Sequence, residues 1–358
     1  MMLRQTMERF NAAASWVAGI AFERQLPNKF ALQKLVYREL RERFGLPADT
    51  AIRCIARACE AFKPDKTKRP RFRKHAAVPF AMGKNIGFKG VDRVSISTLE
   101  GRVIVPFLMG KYQADRFGFA KGQSDLVLRK DGKWFLLVTI DVPDKTPIPV
   151  TDFIGVDLGV SNLAATSDGQ RFAGDNVESV RIKYHRIHRG LGRKMHSSHK
   201  RRTRKNARRA MKRIGGKESN FRKDVNHVIS KRIVALAKDT GRGIALENLK
   251  GIRDRTRFRK RQRSKMNGWA FYQLRSFITY KGQLFGIPVV AVDPRNSSRT
   301  CSACGHCDKR NRTSQASFKC RQCGHEAHAD HNAAINLAAR AVANRLQVSE
   351  THRHSAVA

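Results

Sequence analysis

Two periodicities divide the chain. As far as about residue 63, apolar positions recur every three or four residues. Phe10, Ala14, Val17 and Ala21 share one helical face; Leu32, Leu35, Val36 and Leu40 share a second; Ile52, Ile55, Cys59 and Phe62 share a third. Pro47 followed by Asp49 predicts a helix start. The segment KPDKTKRPRFRKH is a basic, proline-marked connector. From about residue 78 to 142 the period falls to two. VSISTLEGRVIVPF predicts a hairpin turning at Glu100–Gly101, and DLVLRKDGKWFLLVTIDV predicts another turning at Asp131–Gly132. Short paired strands of this kind predict a small barrel or sandwich.

A third region begins at TPIPVTDFIGVDLG. Its first strand leads through Asn162–Thr166 to the turn SDGQ and a further hairpin. The run RIKYHRIHRGLGRKMHSSHKRRTRKNARRAMKRIGG predicts a long basic helical tract. An amphipathic helix follows, with Val225, Ile229, Ile233 and Leu236 on one face and Gly241 at its end. GIALENL predicts a strand carrying Glu247. A second basic run, RDRTRFRKRQRSK, precedes a helix that includes Leu274, Phe277 and Ile278, and then the strand IPVVAVD. Three strands, helix, strand, helix, strand is the element order of a mixed α/β sheet. No tandem repeat is visible.

Composition then narrows the partner. The 358 residues suffice for two or three modest domains, and 41% hydrophobic content marks a folding chain. Lys and Arg number 72 against 29 Asp and Glu, a formal charge of +43. So much positive charge calls for a polyanion, and nucleic acid is the first choice. A membrane-surface role fits less well: the cations are spread over most of the chain, and no apolar run approaches the ~20 residues of a span. The opening MMLRQTMERFNAAASWV reads as an amphipathic helix without the apolar core of a signal peptide, so a cytoplasmic, nucleoid-associated protein is expected. Seven cysteines agree with a reducing compartment; five cluster late in the chain at metal-ligand spacing.

The chemistry starts at Asp157, which lies between Gly155 and Gly159. Ile154, Val156 and Leu158 alternate with these three, so one strand face is apolar and the other carries a lone acid. Such an acid needs a cation or donor, and bare backbone beside it leaves room for a hydrated metal or a phosphate. Later, Cys301 and Cys304 form one C-x-x-C knuckle, and Cys320 and Cys323 form another. Two such knuckles complete a tetrahedral Zn2+ site. Cys307 offers an alternative partner for Cys304, and His306 and His325 are weaker ligand candidates. Glu247 and Asp330 are two more acids in apolar or motif contexts. Singly each acid has a plain explanation: an ion pair, a strand end, or for Asp330 a helix cap. Together, two acids on neighbouring strands and one at the start of the last helix form the donor set for hard cations such as Mg2+. Two such ions ~4 Å apart activate water for phosphodiester hydrolysis.

GVDLGVSNLAATSDG, IALENLKGI, the paired knuckles and ADHNAAINLA, in that order, resemble the transposon-encoded TnpB proteins, compact relatives of the type V CRISPR effectors. The resemblance covers roughly residues 150 to 345. It implies an α/β multi-domain protein: an RNase H-like (RuvC) mixed sheet with an inserted zinc ribbon, preceded by a helical recognition domain and an oligonucleotide-binding-like wedge β-barrel. The expected divisions are recognition helices 1–65, wedge barrel 66–150, nuclease first part with a basic helical insertion 151–297, zinc ribbon 298–326, final nuclease helix 327–347 and tail 348–358. By motif, Asp157, Glu247 and Asp330 match the three RuvC acids. The implied activity is RNA-guided cleavage of double-stranded DNA beside a short transposon-adjacent motif, using a guide RNA from the element's own end. Family members usually open with a short aromatic and basic strand, whereas this chain begins almost at the helix. A wedge barrel lacking a strand, or a start codon further upstream, would account for that.

The basic tracts then acquire a role. Arg201, Arg202, Arg204, Lys205, Arg208 and Arg209 line a helix whose charge the chain cannot balance, so phosphate contact is expected. Arg257, Arg259, Lys260 and Arg261, followed by Trp269, Phe271 and Tyr272, mix cations with rings in a way suited to single strands; core packing of the aromatics is the competing reading. Other function classes are a guided repressor without cleavage, a ribosomal-type zinc-ribbon RNA binder, and a DNA-joining transposase. The repressor should have lost an acid, the RNA binder leaves Asp157 unexplained, and the acid order does not match the transposase.

Overall fold

The first apolar stripe forms helix α1 (Met2–Glu23), which buries Phe10, Ala14, Val17 and Ala21. The computed structural model describes residues 2–159, 161–248 and 271–355, with side chains as far as Arg345. Helix α2 (Lys29–Phe44) opens at Asn28, whose Oδ1 accepts from the amides of Phe30 and Ala31 at 3.0 and 3.1 Å. Two of the amides that a helix start leaves open are thereby satisfied. The helix closes on Gly45 at φ +63°, a left-handed conformation that glycine adopts freely. Leu32, Val36 and Leu40 are buried, but Leu35 is 44% exposed. The buried stripe drifts toward residue 40, and Leu35 lies on the far edge. Helix α3 (Ala48–Glu60) follows Pro47. Its buried face is Ala51, Cys54, Ile55 and Ala58, with Ile52 and Cys59 only partly covered. Small residues make the closest approach here: the Cys54 thiol lies 3.7 Å from the Phe10 carbonyl of α1.

The strands that follow pair into two separate antiparallel ladders of three. One has the order β1 (Val78–Ala81), β5 (Ala120–Leu128), β6 (Trp134–Ile140). The other runs β2 (Ile86–Lys89), β3 (Arg93–Thr98), β4 (Gly101–Pro106), with the short helix α4 (Lys111–Ala114) after it. Thr98 pairs with Gly101, so the β3–β4 turn is Leu99–Glu100, one residue earlier than its sequence suggests. The β5–β6 loop carries Gly132 at φ +81°. One buried cluster joins the helices to Val78, Phe80, Ile86, Val94, Ile96 and Leu126 of the strands. This compact unit ends at Val142, and a second runs from Pro143 onward.

The second unit is built on a five-stranded mixed sheet. Its order is β11 (Val289–Val292), β10 (Gly243–Glu247), β7 (Phe153–Asp157), β8 (Asn162–Thr166), β9 (Arg171–Ala173). The first three strands are parallel to one another, and β7–β8 and β8–β9 are antiparallel. The expected long basic tract is two helices, α5 (Asp175–Ser197) and α6 (Arg201–Ile214). Between them Ser198 is extended, and its Oγ accepts from the Lys200 amide at 3.3 Å, a local turn that competes with helix. Helix α7 (Lys217–Asp239) and helix α8 (Phe271–Phe285) cover one sheet face, where Ile154, Val156, Ile244 and Leu246 meet Ile229, Ile233, Leu274 and Ile278. On the other face Phe153, Ala245 and Val292 meet Leu337 and Ala341 of helix α9 (Ala329–Ser355). Strands β12 (Ser317–Lys319) and β13 (Glu326–His328) form a small hairpin just before α9. No helix among the described residues is long and apolar enough to cross a membrane.

Candidate active site

The glycines around Asp157 have a different purpose from the one their sequence suggested. A Cβ on Gly155 would overlap the Ala334 carbonyl oxygen and come within 2.7 Å of the Ala338 amide nitrogen. Gly155 therefore lets α9 lie directly on β7. A Cβ on Gly159 would meet the Asn162 carbonyl oxygen at 2.7 Å, a constraint of the β7–β8 turn. The bare backbone accommodates the chain itself, not a metal or a phosphate.

Register brings two of the acids together. β7 and β10 pair Ala245 with Gly155 and Leu246 with Val156, so the next positions, Glu247 and Asp157, are neighbours on the α9 face. Their carboxyls interact directly, each acting on the ionisation of the other. Glu247 is 8% exposed and Asp157 is partly buried. Burial, then the contact with Asp157, then the charges of Asp157 and Asp330 push Glu247 up to about 10. Burial, with Asp330 adding to it, also pushes Asp157 up, while the contact with Glu247 works against the rise. Both carboxyls are thus pushed up, so the pair favours retaining a proton.

Asp330 acts on both from the first turn of α9 through its charge, although the three carboxylates are not gathered within 4.8 Å as the sulfurs of Cys301, Cys304, Cys320 and Cys323 are. Its Oδ2 accepts from Asn162 Nδ2 at 2.8 Å, and its Oδ1 lies 3.5 Å from Arg312 Nη2. The side chain is thus directed across the sheet to other elements. Its ion pair lies inside the cluster, because the Arg312 charge also acts on Asp157. Neither Asn162 nor Arg312 carried a sequence signal. Asn162 is one polar residue opening a strand, and Arg312 is one cation among 72 Lys and Arg.

The four cysteines Cys301, Cys304, Cys320 and Cys323 place their sulfurs within 4.8 Å of one another. Among the described residues this is the one group with ligand atoms gathered so tightly. The two knuckles, CSACGH and CRQCGH, repeat one geometry. In each, the first cysteine amide donates to the histidine carbonyl at 2.9 Å, and the glycine, at φ +77° or +74°, returns an amide to the first cysteine carbonyl. The histidines are used through their backbone, and Cys307 lies outside the sulfur cluster, so the register Cys304–Cys307 is not adopted. Backbone amides of Cys323 and Gln322 draw the Cys320 thiol down to about 6. Against the pull of the His306 amide, burial and the bonds from the other three cysteines push Cys304 up to about 12. The crowded thiols thus ionise unevenly until a soft divalent ion takes them as thiolates.

Buried asparagines hold this small domain together and seat it. Asn311 donates to the carbonyls of Arg299 and His306 and accepts from the Arg321 amide, linking both knuckles. Asn332 and Asn336 of α9 donate to Thr300 and Ser297 carbonyls at 2.8 Å. Their i,i+4 spacing in an alanine- and leucine-rich helix was the legible signal for them. Gln315 Nε2 also reaches Ser161 Oγ at 2.9 Å, so the ribbon loop carrying Arg312 leans toward the acids.

The basic positions separate. Seven cations of α6, Arg201, Arg202, Arg204, Lys205, Arg208, Arg209 and Lys212, together line one open, solvent-facing surface. Only Ala207 of that helix is buried. Arg257, Arg259, Lys260, Arg261 and Trp269 lie outside the described residues. Phe271 packs against the α7–α8 core, whereas Tyr272 is 83% exposed.

A family model described as "Probable transposase" matches residues 135–253, and one described as "Cas12f1-like, TNB domain" matches residues 271–337. The chain is 34% identical over 257 residues to the CRISPR-associated endodeoxyribonuclease Cas12f1 of Syntrophomonas palmitatica, covering 66% of this chain and 50% of that protein. It is 28% identical to the putative RNA-guided DNA endonuclease InsQ of Escherichia coli, covering 93% of this chain and 88% of that one. The chain spans half the length of each of two Cas12f1 relatives, from Syntrophomonas palmitatica and Sulfoacidibacillus thermotolerans. A cryo-EM structure of a Cas12f1–sgRNA–target DNA complex has the same fold, with a TM-score of 0.60 at 18% identity over 94% of this chain and 82% of that one.

Proposed function

We propose, from the premise that this chain belongs to the TnpB family, that it is an RNA-guided DNA endonuclease. An RNA from the mobile element's end would pair with one strand of double-stranded DNA beside a short transposon-adjacent motif, and the protein would cut by RuvC-type hydrolysis. The observation that supports this most is the placing of Asp157 and Glu247 side by side at the ends of β7 and β10, with Asp330 of α9 close enough for its charge to act on both; a divalent cation would relieve that repulsion.

That donor set fits Mg2+, which takes carboxylate oxygens. Bound there, one ion or a pair would supply an activated water and stabilise the leaving oxygen. The chain's own residues prepare the site. Adjacent strands fix Asp157 and Glu247, Asn162 orients Asp330, and α9 closes the sheet face behind them. Arg312 keeps a positive charge beside Asp330. The four cysteines would hold a structural Zn2+, whose thiolate ligands the knuckle amides stabilise.

The remaining divisions follow the same reading. Residues 1–65 serve as recognition helices and the strands up to Val142 as the wedge barrel, which ends earlier than the expected residue 150. The first nuclease segment with its basic insertion runs from there to 297. The ribbon extends to His328 rather than 326, and the final nuclease helix extends to Ser355, into the expected tail 348–358. The cations of α6 would contact phosphates. The bacterial relatives support a prokaryotic location, and a DNA target would place the protein at the nucleoid. The test is to purify the protein from cells expressing its native locus, sequence the RNA bound to it, and assay cleavage. Asp157→Ala should retain that RNA and lose cutting altogether. Cutting at the parent rate would refute the assignment of the acids.

A further inference from the structure

We propose that the connector between α3 and β1 is a pre-organised nucleic-acid contact, in which Arg71 and Arg73 hold successive phosphates of one strand. The inference does not rest on the nuclease reading; it concerns binding, in the other compact unit of the chain.

Lys63–His75 contains seven Lys and Arg and a single acid, Asp65. A segment so charged, without helix or strand of its own, repels itself and would ordinarily be loose. Here it is fastened along α1 in the opposite direction. Arg69 lies across Gly19, where a Cβ would collide with its guanidinium, and pairs with Glu23 at 3.7 Å. The Phe72 amide donates to Ser15 Oγ at 3.1 Å, and the Phe72 ring packs against the helical core. Asn11, 1% exposed, donates from Nδ2 to the carbonyls of Lys74 at 3.3 Å and Ala76 at 2.9 Å. Glu8 receives both Lys74 and His75.

The backbone makes no turn or bend between Arg69 and Arg73. Phe72 points inward, and Arg71 and Arg73 on either side of it are exposed, with no ion-pair partner among the described residues. Alternate residues of an extended chain project from one side about 6.6 Å apart, comparable with the separation of neighbouring phosphates along a strand. Two exposed guanidinium groups, unpaired among the described residues and flanking a residue fastened to α1, offer a backbone-reading surface. The ordering of this connecting strap is already supplied by α1, so binding need not supply it.

The experiment uses the full chain carrying Asp157→Ala, so that no probe is cut. Binding is measured by fluorescence anisotropy across a salt series, on one arbitrary sequence presented as an RNA strand, a DNA strand and a DNA duplex. Arg71→Ala with Arg73→Ala should lower affinity about tenfold or more near 0.1 M salt. It should also flatten the log K against log salt slope by about 1.4 to 1.8 on at least one probe. The probe that responds identifies which nucleic acid the strap holds. An unchanged slope on all three probes would overturn the proposal. So would an equal loss from Lys130→Ala with Lys133→Ala, two exposed cations on the β5–β6 turn, because overall charge alone would then account for the effect.

Discussion

The carboxyl group of Glu247 sits almost out of water beside Asp157, and burial, then Asp157, then the charge of Asp330 push it up to about 10. Unfolding would return it to its ordinary value of 4.5. A carboxyl raised on folding contributes stability that is complete below the unfolded value and is lost as pH climbs through the folded one. Metal-free stability should therefore fall between about pH 4.5 and 10, by at most about 1.4 kcal/mol per pH unit for one retained proton. Glu247→Gln should flatten that slope in denaturant titrations, and Mg2+ should flatten it in the parent protein. A parent slope indifferent to both would mean the acids do not retain a proton. Arg312 acts at the same scale: its guanidinium already offsets part of the Asp330 charge, which limits the repulsion the metal-free site must bear.

At the scale of elements, the seat of α9 on β7 is the contact that positions the third acid. Gly155→Ala would press a methyl group into the helix backbone, and neither partner is a flexible side chain that can move aside. A loss of about 3 kcal/mol or more is expected in urea denaturation, together with loss of cleavage. Full retention of both would mean that α9 can shift on the sheet without displacing Asp330. The ribbon is the second such element. With only Cys301, Phe318, Cys320 and Ala329 in its buried cluster, it has too little apolar content to stand alone. Cys301→Ser with Cys304→Ser should therefore release one equivalent of zinc by elemental analysis and loosen the Asn332 and Asn336 bonds at its base. Undiminished zinc would place the ion elsewhere.

Across the whole molecule, the excess of 43 positive charges cannot be neutralised internally, with 29 acids facing 72 cations. Among the described residues most ion pairs keep at least one partner exposed and are weak, whereas α6 gathers seven cations on one open surface. Nucleic-acid affinity should therefore fall steeply with salt, by about 0.7 to 0.9 in log–log slope for each phosphate contacted. Neutralising Arg204, Lys205, Arg208 and Arg209 together should remove about 3 of that slope. A flat titration of the parent protein would argue against a phosphate-dominated interface.

The mixed sheet, the helical start, the hairpins and the cysteine knuckles were legible in order because each is a local pattern: period, turn residues, fixed spacing. Local pattern does not say what lies across a face. Leu35 was counted as core because its spacing is helical, although the stripe turns away from it. The glycines beside Asp157 were read as room for a ligand, although the space is taken by α9 and by the turn. The sequence alone determined which residues can ionise, ligate and alternate. Only the tertiary structure decided that Asn162, Arg312 and Asn311 connect them, and which carbonyls the i,i+4 pair Asn332 and Asn336 would meet, because hydrogen bonds between residues up to 168 positions apart leave no mark of their partners in the chain.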